Sequence, residues 1–221
     1  MDQLLETYVS VRLSRASSRT KVMRILESNI DLSFQAPAPS IDKIARHSEM
    51  SVSAIYRYFS NRQKLHAASL QHLIGQFRQD FRTLLTRQEI HATDIDDFSD
   101  HLMNRVNHFR PALVNLLCSL EDDETARLLK ANRIAMMDLV RSIFPPSGRP
   151  PARCLYERDM APHLEDIATL LFDHLYQCPD PLSESSNRLR LKALMRHCLM
   201  DLNFYTAPKA RIVTLSTYQF G

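Results

Sequence analysis

SIDKIARHSEMSVSAIYRYFSNRQKL, residues Ser40 to Leu65, reads as a helix, a tight turn and a second helix. Ser40 stands where it caps the first helix, whose Ile41, Ile44 and Ala45 share one face. Ser51 stands where it caps the second, whose Ile55 and Phe59 lie one turn apart. A short hydroxyl side chain just before an apolar periodic run accepts from backbone N–H groups that no carbonyl within the helix reaches. At about 100° per residue, burying Ile55 and Phe59 turns Ser53, Tyr56 and Arg57 outward as an i, i+3, i+4 set, with Tyr58 flanking it. Such a strip of hydrogen-bonding side chains suits a DNA groove.

The spacing Ser40…Ile44-Ala45…Ser51-x-x-x-Ile55-Tyr56-x-Tyr58-Phe59-x-x-Arg62-x-x-Leu65 resembles the helix-turn-helix signature of TetR/AcrR-type transcriptional regulators. The Ile-Tyr-x-Tyr-Phe run, with a basic residue three places on, makes the resemblance specific. It implies an all-α fold, with an N-terminal three-helix DNA-binding domain at residues 1–65, including an N-terminal extension, and a C-terminal helical effector-binding and dimerisation domain at residues 66–221. It implies DNA contacts at Ser40, Val52, Ser53, Ala54, Tyr56, Arg57, Tyr58 and Arg62. Helix N-termini and the hydroxyls of Ser40, Tyr56 and Tyr58 would then meet phosphates, while Ser53, Ala54 and Arg57 are placed for base edges. Packing is the other role open to the tyrosines. Two residues depart from the family pattern: Glu49 stands where a turn glycine is usual, which implies either a glutamate at positive φ or a different turn with Glu49 in helical space and Ser48 or Met50 absorbing the bend, and Arg62 replaces the usual lysine.

Composition agrees with helices. The 221 residues are 44% hydrophobic, with 3 Gly against 11 Pro and no convincing alternating β-branched stretch. The formal net charge is only +3, but up to Leu70 ten basic residues face six acidic ones, so the positive balance sits with the helix-turn-helix, as phosphate contact requires. A solvated basic face reads the same way. Cys118, Cys154, Cys178 and Cys198 are widely spaced and read as reduced thiols in a cytoplasmic protein. No run approaches the roughly 20 apolar residues of a membrane span, and Asp2 and Glu6 precede any basic residue, unlike a secretory leader.

Outward from the motif, residues before Ser18 read either as a basic arm or as a frayed terminus. A first helix is expected from Arg19, with Val22, Ile25, Leu26, Asn29, Ile30 and Leu32 inward, ending before Ala-Pro-Ala-Pro at 36 to 39. A long helix should follow Asn61, with Leu65, Ala68, Leu73, Phe77, Phe81, Leu84 and Leu85 apolar. Thr93 and Asp94 would cap the next, which runs to Phe109, and Pro111 would open another through Leu120. Further helices are expected over Asp123 to Phe144, Met160 to Gln177 and Glu184 to Tyr205, with an exposed loop at 145 to 151 and a tail from Ala207 of unassigned structure.

The resemblance also implies a small apolar effector held in the body, for which Phe77, Phe81, Met103, Phe109, Leu113, Leu117, Met136, Met137 and Phe172 are the candidate lining. Each is equally an ordinary core residue. It implies a homodimer, for which Ile167, Leu171, Leu175, Leu189, Leu194 and Leu202 are apolar enough, and hence a near-palindromic operator in double-stranded DNA. No cofactor and no metal are expected: His101 and His108 lie seven apart, His163 with Asp166 is an isolated pair, and His197 beside Cys198 is a lone candidate. No phosphate-loop, nucleotide-binding or hydrolase glycine pattern occurs, which argues against an enzyme. The expectation is a regulator, a repressor by resemblance. The alternative is a structural DNA-binding protein controlled by a protein partner, without a small-molecule ligand.

Overall fold

The computed structural model describes residues 8–10, 16–87, 95–141, 150–176 and 181–205, and among them every regular element is a helix. These are α1 (Ala16–Ser33), α2 (Ile41–His47), α3 (Val52–Tyr58), α4 (Arg62–Arg87), α5 (Ile95–Leu117), α6 (Asp122–Arg141), α7 (Pro150–Tyr176) and α8 (Pro181–Tyr205). The chain divides into two compact units, Met1–Phe77 with His108–Leu129, and Arg78–Asn107 with Lys130–Gly221.

In the first unit α1 packs on α2 and α2 on α3. Val22, Ile25, Leu26, Ile30, Ile44, Ala45, Ile55, Phe59 and Leu65 are all buried there. Both motif helices are capped as their sequence requires: Ser40 accepts from the Lys43 N–H at 3.4 Å, and Ser51 from the Ala54 N–H at 3.1 Å. The Asn61 carboxamide does the same for α4, accepting from the Lys64 N–H at 2.8 Å. Between α2 and α3 the chain reverses through a paired closure. The Met50 N–H reaches the Ala45 carbonyl at 2.9 Å and the Glu49 N–H reaches that of Arg46 at 3.3 Å, the hydrogen-bond pattern that places the intervening residue in left-handed space. That residue is Glu49, at φ 53°, so this turn keeps the geometry that glycine ordinarily serves. Its exposed carboxylate pairs with Arg24 at 3.2 Å.

The N-terminal segment is packed where it is described. Tyr8 is buried; its hydroxyl donates to Glu124 Oε1 at 2.5 Å and accepts from Arg127, whose guanidinium carbon lies 5.7 Å from the ring centroid. Burial, first, and then the Glu124 carboxylate push the Tyr8 phenol well above its ordinary pKa. Two residues on, the Ser10 N–H donates to the Tyr58 carbonyl at 2.8 Å. Residues 8–10 thus join the start of α6 to the end of α3, and neither an arm nor a fray describes them. Leu4, Leu5, Val11, Arg12 and Arg15 lie outside the described residues.

The longer helices differ from their expected bounds at prolines. α5 runs unbroken through Pro111, where a break was expected. A proline inside a helix costs about 3 kcal/mol, and around it Ala112 is buried together with Val106, Phe109, Leu113 and Leu116, these four each worth about 1.5–3 kcal/mol. α7 starts at Pro150, inside the stretch expected as loop, because prolines in a first turn lack an N–H that would be unpaired there anyway. α8 starts at Pro181 for the same reason. On α6, Ile134 is an apolar side chain left 58% exposed. The side chains of Leu84, Leu85 and Leu202, together with Thr93, Asp94, Ile143 and the tail from Ala207, lie outside the described residues.

In the second unit α7 packs along α8, with Leu164, Ile167, Leu171, Leu175, Leu191 and Met195 buried. A charged seam ties α8 to the first half of α5. Asp96 meets Arg196, Asp100 meets Lys192 at 2.6 Å and Arg188 at 3.4 Å, Asn104 meets Arg188 at 2.8 Å, and Asn107 meets Glu184 at 2.7 Å. One set of numbers rises as the other falls, so the two helices are antiparallel. Behind the seam, buried His174 donates from Nε2 to Asn107 at 2.8 Å and accepts at Nδ1 from Asn187 at 3.2 Å.

The Glu49→Gly substitution tests the turn. It relieves about 1 kcal/mol of left-handed strain, against about 0.4–1 kcal/mol of added chain entropy and a surface ion pair worth little. The melting temperature should hold or rise slightly in a thermal scan; a clear fall would show that glutamate is not strained at φ 53°.

Candidate nucleic-acid interface

The second motif helix is seven residues long, and its orientation is set by Ile55 and Phe59, both fully buried. Ser53, Tyr56 and Arg57 consequently lie together on its outer face, all exposed, with Tyr56 at 44%. Ser53 Oγ sits 3.0 Å from Ser51 Oγ, which ties the outer face to the cap. Val52 and Ala54 are half-buried, small enough that they do not hold the helix off a groove floor, and Ser40 stands exposed at the head of α2.

Tyr58 departs from its expected place. It is 3% exposed and does not flank the outward strip, because position 58 follows Ile55 by three residues and so falls on the buried side. Its ring lies 5.2 Å from the Arg57 guanidinium carbon, and its hydroxyl accepts from Arg57 Nη2 at 3.3 Å. Tyr58 therefore supports Arg57 from within, where a direct contact was expected.

Arg62 stands exposed in the first turn of α4, but it is not loose. Its Nε–H donates to His66 Nε2 at 3.0 Å, and one amino group, Nη2, donates to the carbonyl of Ala38. Ala38 is itself in left-handed space at φ 49°. His66 is 1% exposed, and its Nδ1 lies 3.2 Å from Asn29 Nδ2, which also donates to Ser69 Oγ at 2.8 Å. Since Nε2 accepts from Arg62, the imidazole proton belongs on Nδ1. That proton finds an acceptor when the Asn29 amide turns Oδ1 toward it. Burial, and secondarily the Arg62 charge, pulls the His66 pKa down to about 4. The cluster continues outward: Ser33 donates to the Asn29 carbonyl at 2.7 Å, and Asn115 Nδ2 to the Ser33 carbonyl at 2.7 Å. Sequence reasoning placed Asn29 on an inward stripe but missed His66 and Ser69. Their signal was present as two polar residues at i and i+3 on the apolar side of a long helix.

An open hollow lined by Asp42, Ala45, Arg46, Glu49, Met50, Ser51 and Val52 adjoins the turn. Its charged rim belongs to the same surface as the outward strip of α3.

The residues proposed to line an effector pocket are divided between the two units. In the first, Phe77 and Phe109 meet edge to face at 5.5 Å, and Leu113 and Leu117 are buried. In the second, Phe81, Met103 and Met136 are buried, Met137 and Phe172 are half-buried, and Phe172 tilts against Tyr176 at 4.6 Å. Asn132, one turn before Met136, is buried beside the Tyr176 hydroxyl, a polar residue that the sequence reading passed over. His163 and His197 meet edge to face at 4.4 Å, and among the described residues no group of three His, Cys, Asp or Glu is placed to hold a metal. Cys118 is an exposed free thiol and Cys198 a buried one; the side chain of Cys154 and the whole of Cys178 lie outside the described residues. Among the described residues no helix is long and apolar enough to cross a membrane.

No family model matches the chain, and no curated protein does. Among solved structures it is similar to a TetR-family transcriptional regulator from Streptomyces coelicolor, at 18% identity, covering 83% of this chain and 90% of that one with a TM-score of 0.50. It is also similar to one from Mesorhizobium loti MAFF303099, at 14% identity, covering 85% of this chain and 98% of that one with a TM-score of 0.48. At these identities the likeness is one of fold, and the chain has the all-helical fold of TetR-family regulators.

The buried imidazole makes head stability depend on pH. In the unfolded chain His66 takes its proton near 6.5, whereas the folded chain holds it neutral down to about 4. Between those values the unfolded state binds the extra proton. This contribution is therefore fully present above about pH 6.5, lost as pH falls, and exhausted near pH 4. In urea titrations the wild-type chain should lose about 2 kcal/mol more between pH 7 and pH 5 than a His66→Gln variant does. Equal losses would show that His66 titrates normally.

Proposed function

We propose that this chain, with the fold just described, is a DNA-binding transcriptional regulator: a cytoplasmic homodimer that represses from a near-palindromic operator and is released by a small apolar effector. The observation that carries this reading is the outer face of α3, where Ser53, Tyr56 and Arg57 stand exposed together above a helix anchored by Ile55 and Phe59. Residues 1–65 form the DNA-binding domain in this reading, and 66–221 the effector and dimerisation domain. Ser40, Tyr56 and Arg62 take phosphates, Val52 and Ala54 line the close approach, and Ser53 and Arg57 read base edges. Tyr58 acts behind them by bracing Arg57.

The effector reading rests on Phe77, Phe109, Leu113 and Leu117 of the first unit, and Phe81, Met103, Met136, Met137 and Phe172 of the second, each being apolar and buried or half-buried within its own unit. The dimer reading rests on α7 and α8. Ile167, Leu171 and Leu175 are buried within the chain, but Leu189 is 70% exposed, an apolar side chain left for a second copy.

Two measurements test the reading, both on duplexes selected from random sequence by the protein. Arg62→Ala should weaken binding to every sequence alike and lower the slope of log K against log salt by about one. Arg57→Ala should change which bases are preferred, at about 1–3 kcal/mol for the position it reads. Uniform modest losses, with preference and slope unchanged, would contradict the assignment. Light scattering should report a dimer at micromolar concentration, weakened at least tenfold by Leu189→Glu. A wild-type monomer both free and on DNA would remove the dimer. Failure of apolar ligands to release DNA would leave the protein-controlled alternative.

A further inference from the structure

Arg62 commits one edge of its guanidinium to the protein. Nε and Nη2 share the side edge of the planar group, and that edge is filled by His66 Nε2 and the Ala38 carbonyl. The end edge, Nη1 with the second hydrogen of Nη2, stays available on an exposed residue, in the geometry that meets two phosphate oxygens at once. A lysine at this position has no second edge: its ammonium serves as a point charge and cannot be aimed by a bond to the interior. From this geometry we infer that His66 is a positioning residue for the DNA backbone, a buried neutral imidazole that fixes the Arg62 plane, its accepting tautomer favoured when the Asn29 carboxamide turns Oδ1 toward Nδ1. The inference rests on the reading of the chain as a DNA-binding protein whose Arg62 meets a phosphate.

The chemistry of the cluster supports this role over simple packing. For packing alone, apolar residues at positions 29, 66 and 69 together would fill the same space without burying any polar group. The imidazole is useful only as an acceptor, because a protonated ring would donate at both nitrogens and repel the guanidinium 3.0 Å away. Depth of burial keeps it in the useful form. Arg62 is long and rotamer-rich, so holding two of its donors before DNA arrives removes part of the ordering cost that a free side chain meets on binding. The replacement of the family-like lysine by arginine thus goes with a buried acceptor four residues on, one helical turn away on the same face.

The test uses the full chain and one selected duplex, with affinity measured across a salt series for wild type, Arg62→Ala, His66→Leu, His66→Gln, His66→Asn and the double variant Arg62→Ala/His66→Leu. The Gln carboxamide reaches the place of Nε2, whereas that of Asn reaches only the place of Nδ1. His66→Leu and His66→Asn should weaken binding about fivefold and flatten the salt slope, with His66→Gln within about twofold of wild type. The double variant should bind no worse than Arg62→Ala alone. If His66→Leu does not fold, the Gln and Asn pair decides by itself. Equal binding by Gln and Asn, or additive losses in the double variant, overturns the positioning role. An unchanged slope in Arg62→Ala would instead fault the phosphate contact on which the inference rests, so the two failures are told apart.

Discussion

The burial of Ile55 and Phe59 on one side of a seven-residue helix is the constraint from which the rest of the helix-turn-helix follows. Two side chains one turn apart, each worth about 1.5–3 kcal/mol when buried, fix the rotation of a helix too short to be stable alone. With rotation fixed, the exposed strip is determined residue by residue. The caps at Ser40 and Ser51, the left-handed Glu49 and the Asn61 cap of α4 set where each helix starts and stops, but the core decides what each helix shows to solvent.

What was legible in the sequence was what neighbouring residues decide between themselves. Ser40 and Ser51 cap as their spacing requires, and Glu49 occupies the positive-φ place that its position in the turn demanded. Tyr58 was misplaced because it was set at the flank of the outward strip, although the same 100° step that exposes Tyr56 carries a residue two positions on back to the buried side. Pro111 misled for a different reason. The rule that proline ends a helix is local, and the burial that carried α5 past it involves residues distant in the chain. His66 with Asn29, and Asp100 with Lys192, were invisible because a polar side chain at an inward position shows its partner only once the helices are assembled.

The two polar systems have different work. The seam between α5 and α8 is made of partly exposed charges repeating every fourth residue on each helix, so a slip by one turn would exchange one set of ion pairs for another. The Asn29–His66–Ser69 cluster has no such repeat. Moving α1 along α4 by one turn, about 5.4 Å, would leave three buried polar groups without partners, each costing about 1–3 kcal/mol. The seam tolerates displacement, whereas the cluster forbids it and specifies a single register for the head.

The short bridge formed by Tyr8 and Ser10 carries an optical consequence. The chain has no tryptophan and 7 tyrosines, so its near-ultraviolet emission comes from phenols. A phenol that donates to a carboxylate is quenched by the easy passage of its excited-state proton, and Tyr8 is in this state against Glu124. Release of the segment from α6 would restore that emission, while the bond from Ser10 to the end of α3 links the same segment to the helix that carries Ser53, Tyr56 and Arg57. The molecule therefore contains a native reporter, requiring no label, at the junction between α6 and α3.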